Sequence, residues 1–429
     1  MNNNKRVLPL VSAGALLLAP LAAAAEELNS ADTAWILTSA ALVLFMTVPG
    51  LALFYGGLVR AKNVLSVLMH CFAITSLASI LWVVAGYSLA LTEGNDALGG
   101  LSRLFLAGIG ADTLHGNLPE SVFVMYHLTF AIFAPALIVG GLAERMKFSA
   151  LLAFTGLWLL LVYVPVCHWM WGGGWLQRLG VMDFAGGIVV HTSGGIAALV
   201  AALMLGPRKG FPRTPMPPHN LTMTATGGGI LWVGWHGFSA GSALMANGAA
   251  GMAMLTTHIA AAAAALVWMS IEWIRYGKPS VLGIITGMVA GLGMISPAAG
   301  FVGPGGALFI GIAAGGLCFF SIQVIKRRWQ VDDALDVFPV HGVGGMAGAV
   351  LTGIFAAESL GGSGLAAESG MLGQVALQAF GVGVTLAWSG AVSFVLLKGL
   401  DAVLGIRVGA DEETEGLDIA QHDSKGYNM

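Results

Sequence analysis

The sequence predicts an all-α integral membrane protein with eleven transmembrane helices, ten in a five-plus-five inverted repeat and the last an extra C-terminal helix. Three observations predict it. Of 429 residues, 57% are hydrophobic and only 10% charged, against roughly 25% charged in soluble domains, so the chain lacks the charge to cover a water-facing surface. Apolar stretches long enough to cross a bilayer recur along the chain. Matched motifs lie five stretches apart. The 62 glycines fall within the apolar runs, where small residues let membrane helices approach closely. The apolar composition makes membrane lipid the expected surroundings; the net charge of −3 says nothing about partners, and no basic block suggests nucleic acid.

The first segment stands apart from the fold. Lys5 and Arg6 form a basic lead, Val7 to Leu21 an apolar core, and Ala23-Ala24-Ala25 a small-residue cleavage site before Glu26. Together these predict a cleavable signal peptide over residues 1–25. An uncleaved first helix is the alternative, but the apolar run falls short of the roughly 20 residues a span needs. Residues 26–407 are the expected membrane domain and 408–429 a cytoplasmic C-terminal tail.

The spans are expected at about 33–57, 64–91, 120–142, 148–169, 184–206, 221–243, 249–274, 281–298, 304–325, 338–357 and 373–402. Charge orients them. Arg60, Lys62, Arg145, Lys147, Arg208, Lys209, Arg213, Arg275, Lys278, Lys326, Arg327 and Arg328 fall in alternate loops, whereas the opposite loops hold only Arg103 and Arg178. The positive-inside rule places the first group in the cytoplasm. An odd span count then puts the N-terminus in the periplasm and the C-terminus in the cytoplasm, as the signal peptide also requires. The expected location is the cell inner membrane.

The repeat points at two histidines. The run from Val190 to Val200 and the run from Val340 to Val350 share the pattern V-H-x-x-G-G-x-A-x-x-V, with Asp183 and Asp333 each eight residues before the histidine. A weaker match pairs Gly50, Phe54, Gly57 and Asn63 with Gly234, Phe238, Gly241 and Asn247. The copies are offset by five spans, an odd number, so the halves run oppositely, and such inverted repeats place the substrate site near the midplane between them. The glycines let the two helices close up so that His191 and His341 meet, each expected to fix the other's tautomer. A contact pair resists double protonation, so the lane suits a small, polar, uncharged solute or a proton relay. Two packing histidines are the plainer alternative. Cys71, Cys167 and Cys318 each stand alone in an apolar stretch, which fits buried packing rather than metal or redox chemistry. No cofactor is expected, and no nucleophile–base pair or phosphate loop marks an enzyme.

With these residues the chain resembles the Amt/Mep/Rh family, and within it the bacterial ammonium transporters. The run from Asp183 to His191 carries the likeness, as do Trp171 to Gly174, Gly237 to Ser242, Ala143 to Arg145 and Asp336 to His341. The resemblance implies a homotrimer with one pore per subunit and an outer site for the ammonium ion. Trp171 matches the aromatic facing the cation and Ser242 its hydroxyl acceptor. Phe130 and Phe238 match the stacked rings that close the vestibule, His191 and His341 the twin histidines of the lumen, and Asp183 a structural acidic residue near the outer site. The resemblance further implies that the tail docks a P-II type nitrogen-signalling protein; alone, this acidic stretch reads as a solvated end.

Singly, each residue has a plainer reading. Trp171 alone is an interface-belt tryptophan, Ser242 a small packing residue, Phe130 and Phe238 core aromatics, and Asp183 a helix N-cap. Three residues depart from the family pattern: His236 stands where Phe is usual, His127 where Gln is common, and Tyr126 where Phe is common. Both histidines are expected to face neighbouring helices, since lumen-lining groups are few.

The mechanism so implied gathers ammonium at a periplasmic vestibule, deprotonates it near the phenyl rings and passes ammonia along His191 and His341, with or without the proton. Potassium cannot shed a proton and is excluded from a low-dielectric tube. The alternatives are an ammonium sensor or a neutral gas channel of the same fold.

Overall fold

Lipid offers no partner to backbone N–H and C=O groups, so a spanning segment must satisfy them internally, and the apolar runs do so as helices. The structure, a computed structural model, describes residues 27–427; the expected signal peptide at 1–25 lies outside the described residues. Helical segments follow in chain order: α1 Ser30–Leu58, α2 Ala61–Leu91, α3 Glu120–Leu142, α4 Phe148–Arg178, α5 Gly187–Leu205, α6 Leu221–Gly241, α7 Gly248–Tyr276, α8 Val281–Ile295, α9 Pro304–Arg328, α10 Phe338–Phe355 and α11 Gly370–Leu404. Each falls at an expected span. Among the described residues, nine are long and apolar enough to cross a membrane. The other two are α8, with 15 residues, and α6, whose 21 residues include Thr222, Thr224, Thr226 and His236. A two-residue hairpin, β1 Leu114–His115 against β2 Leu118–Pro119, precedes α3.

The two histidine-bearing helices share local geometry. His191 lies in a π-helical stretch, Gly187–Thr192, that opens α5, and His341 in another, Phe338–Gly342, that opens α10. Such widened turns recur at functional sites. The helices cross where neither has a side chain: a Cβ on Gly195 would lie 2.3 Å from the Cα of Gly342, and one on Gly345 2.8 Å from the Cβ of His191. Asp183 accepts from the amides of Gly186, Gly187, Ile188 and Val189 at 2.7–3.0 Å, and Asp333 from the amide of Phe338 at 2.7 Å. A buried carboxylate thus satisfies unpaired amides at the start of each copy.

The loops carrying Arg60, Lys62, Arg145 and Arg208 converge at one end of the bundle. Glu144 there accepts from the amide and Nε of Arg60, from Asn63 Nδ2 and from Arg208 Nη1, all within 3.0 Å. Arg208 also forks onto Asp332, at 2.7 and 2.9 Å. The tail folds onto this basic face as α12 Ala410–Glu415 and α13 Leu417–His422. Glu413 pairs with Arg407 at 2.9 Å and accepts from the Lys209 amide at 2.6 Å. The amide of Leu417 donates to Asn63 Oδ1 at 2.8 Å. Glu413 and Asp418 of the tail are therefore buried against the membrane domain, whereas Asp411 and Glu415 stay exposed.

Candidate functional site

At the end of the bundle away from the basic loops lies a cavity of about 260 Å³ whose walls include Phe123, Tyr126, His127, Phe130, Trp171 and Ser242. The indole N–H of Trp171 donates to the Asp183 carbonyl at 2.9 Å, which fixes the ring, and its centroid sits 5.7 Å from that of Phe130 at 89°. Ser242 caps the C-terminal end of α6 and donates to the Phe238 carbonyl at 2.9 Å, leaving its oxygen lone pairs to accept. Tyr126 donates to the same carbonyl at 2.9 Å and lies 3.3 Å from the Ser242 hydroxyl. Asp183 turns its carboxylate onto backbone amides, so it shapes the start of α5 rather than facing the cavity.

Below this cavity the rings of Phe130 and Phe238 stack, centroids 4.2 Å apart and planes at 17°, both buried. His191 follows, 6.0 Å from Phe238, and then His341, 5.2 Å from His191. His341 in turn lines a second cavity of about 420 Å³ on the basic side, with Phe54, Trp268, Lys326 and Asp336. Phe54 is the repeat counterpart of Phe238. All seven residues singled out in the sequence therefore lie along one line or at its margin, with Asp183 at the margin.

Two expectations are corrected. The imidazoles stack at 15° instead of sharing a hydrogen bond, and neither His191 nitrogen nor His341 Nδ1 has a hydrogen-bond partner. Mutual fixing of tautomers is therefore absent from this geometry. The cause is the glycine crossing, which brings the rings face to face, together with Trp235, which lies nearly parallel to His191 at 5.3 Å and is itself held by Ser296 at 3.0 Å. His127 does not turn to a neighbouring helix but lines the first cavity. Its helix α3 is buried at every residue except Ser121 and Met125, so no apolar stripe in the sequence marks which side faces a cavity. His236 does face a neighbour: its ring is 5.6 Å from that of His258 on α7. Trp235, next to His236, and Tyr126 carry no sequence signal that marks them for this site.

The model for the Ammonium Transporter Family matches residues 34–427. The ammonium transporter of Bacillus subtilis (strain 168) is 45% identical over 401 residues, 92% of this chain and 98% of the relative. That of Aquifex aeolicus (strain VF5) is 46% identical over 418 residues, 95% of this chain and 96% of the relative. The crystal structure of Saccharomyces cerevisiae Mep2 aligns with a TM-score of 0.81 at 36% identity, over 89% of this chain and 91% of that one. A sensor Amt protein aligns with a TM-score of 0.86 at 29% identity, over 91% and 98%. With its residues matched nearly end to end and its identity to two bacterial transporters well above the level at which families blur, the chain belongs to the ammonium transporter family.

Proposed function

We propose that this protein takes up ammonium across the cell inner membrane through a lane lined by His191 and His341. The carrying observation is the unbroken succession of outer cavity, stacked phenyl rings, parallel imidazoles and inner cavity. Ammonium is a small cation with four donors. The Trp171 face and the Ser242 oxygen replace part of its water shell. At the phenyl rings the ion loses a proton, and neutral ammonia enters the buried stretch that excludes an ion. The unpartnered imidazole nitrogens then offer a donor and an acceptor to the passing molecule. The proton returns to the vestibule water or crosses separately, and the two differ in net current.

In this reading the chain is a homotrimer of subunits with eleven spans in a five-plus-five inverted repeat, N-terminus periplasmic and C-terminus cytoplasmic, and the tail docks a P-II type regulator. Pull-down of that regulator with and without residues 408–429 tests the last point, and equal recovery sinks it. Currents from proteoliposomes on a solid-supported membrane test transport. An ammonium pulse is expected to give a current, or an internal alkaline shift if transport is neutral, and a potassium pulse neither. Equal responses to both cations, or to neither, would refute the reading. The likeness to a sensor Amt protein favours one second reading, a sensor; a protein that binds ammonium without flux would support it.

A further inference from the structure

His127 lines the outer cavity, and nothing in the transport reading uses it. Its Nδ1 lies 3.0 Å from the carbonyl oxygen of Phe123, one turn back on α3. A carbonyl only accepts, so Nδ1 carries the hydrogen and Nε2 of the neutral ring is left as an acceptor. Phe123 packs on the imidazole at a centroid distance of 4.2 Å and Tyr126 meets it edge-on at 5.6 Å, so the ring is held in place. Its centroid is 6.3 Å from that of Trp171 and 6.4 Å from that of Phe130. The Ser242 and Tyr126 hydroxyls donate to the Phe238 carbonyl and so face a cation as acceptors, the Gln177 side-chain oxygen already accepts from the Gly173 amide, and Trp171 and Phe130 offer only ring faces.

We propose that Nε2 of His127 is a further acceptor of the outer ammonium site, holding the cation beside the Trp171 face and the Ser242 oxygen. The proposal rests on the transport reading above. Phe123, which packs on His127, is itself stacked by His115 of β1 at 3.8 Å. The nearby carboxylates are engaged elsewhere: Glu120 with Arg103 and Tyr87, Asp183 with four amides.

Ammonium binding to the purified protein, read by calorimetry, and ammonium-elicited flux in proteoliposomes test this near neutral pH. His127→Gln keeps an acceptor at this position, so it is expected to bind like wild type. His127→Phe is expected to bind roughly tenfold more weakly at neutral pH, the worth of one charge-assisted hydrogen bond, and its half-saturating concentration is expected to rise more than its maximal flux falls. A His127→Phe protein with wild-type affinity, a His127→Gln protein as weak as His127→Phe, or a wild type that binds no ammonium would each overturn the proposal. Wild-type binding without flux would strike the transport reading alone, and the binding series would still decide His127.

Discussion

The imidazole of His191 lies parallel to that of His341, planes 15° and centroids 5.2 Å apart, between two buried phenyl rings and the inner cavity. Alanine at both positions removes every imidazole nitrogen from that stretch and widens it. The expected outcome is loss of selective ammonium flux: either no flux, or a current that potassium also carries. Alternating ammonium and potassium pulses on the supported membrane distinguish these. A double variant with wild-type, potassium-excluding transport would show that the solute runs elsewhere.

The crossing that sets this stacking depends on glycine. A methyl at Gly195 would meet the Cα of Gly342 at 2.3 Å, backbone against backbone, so α5 and α10 must move apart. Overpacking of this kind costs about 1–3 kcal/mol. Gly195→Ala is therefore expected to lower the melting temperature in detergent and to reduce flux further by separating the two rings. Gly229→Ala, where a Cβ meets nothing within 4 Å, serves as the comparison and is expected to change neither. Matching melting curves for the two variants would contradict the close crossing.

His191 and His341 were legible because a repeat is a long-range signal: the sequence prints the same motif twice and symmetry brings the copies together. Trp171, Ser242, Phe130 and Phe238 were not legible alone, since a tryptophan at an interface and a phenylalanine in a core need no function. They stood out through the family resemblance. His127 was misread for a physical reason. Periodicity reports a buried face only when another face is exposed, and α3 has almost none. The face-to-face imidazoles and the folded tail escaped for another reason. Both depend on backbone approach and on amides far away in the sequence, such as Leu65 and Ser66 reached from Asp418, which leave no local pattern.

Glu144 makes the stability of the basic face depend on pH in a defined direction. Burial works to raise its carboxyl, but the charge of Arg208 and the hydrogen bonds from Arg60 outweigh it and hold the group at about 2, below the ordinary ~4.3. A depressed carboxylate contributes its full stability above the ordinary value and loses it as the pH falls through the depressed one. The cluster should thus be intact near neutrality and weaken only from about pH 4 downward. Glu144→Gln leaves Arg60 and Arg208 incompletely paired, a loss of about 3–5 kcal/mol for a broken buried pair. Its melting temperature is expected to lie well below wild type near pH 7, with the gap narrowing as the pH approaches 3. A gap independent of pH would mean that shape rather than charge matters at this position.

Asp418 holds the tail to the membrane domain by capping a helix that is not its own. The α-helical part of α2 begins at Val64, and its N-cap Asn63 provides no side-chain cap; the Asp418 carboxylate instead accepts from the amides of Leu65 at 3.0 Å and Ser66 at 2.7 Å. Loss of a cap costs about 0.5–2 kcal/mol, and here it also strands first-turn amides beneath the tail. Asp418→Ala is expected to raise hydrogen exchange across residues 410–422 and at the start of α2 together, and to speed proteolysis of the tail. Asp411→Ala, an exposed change on the same tail, is expected to do neither. If Asp418→Ala left exchange at Leu65 and Ser66 unchanged, the tail would be held by its other contacts, such as those of Glu413, Leu417 and Gln421, and the cap would have no part in docking it.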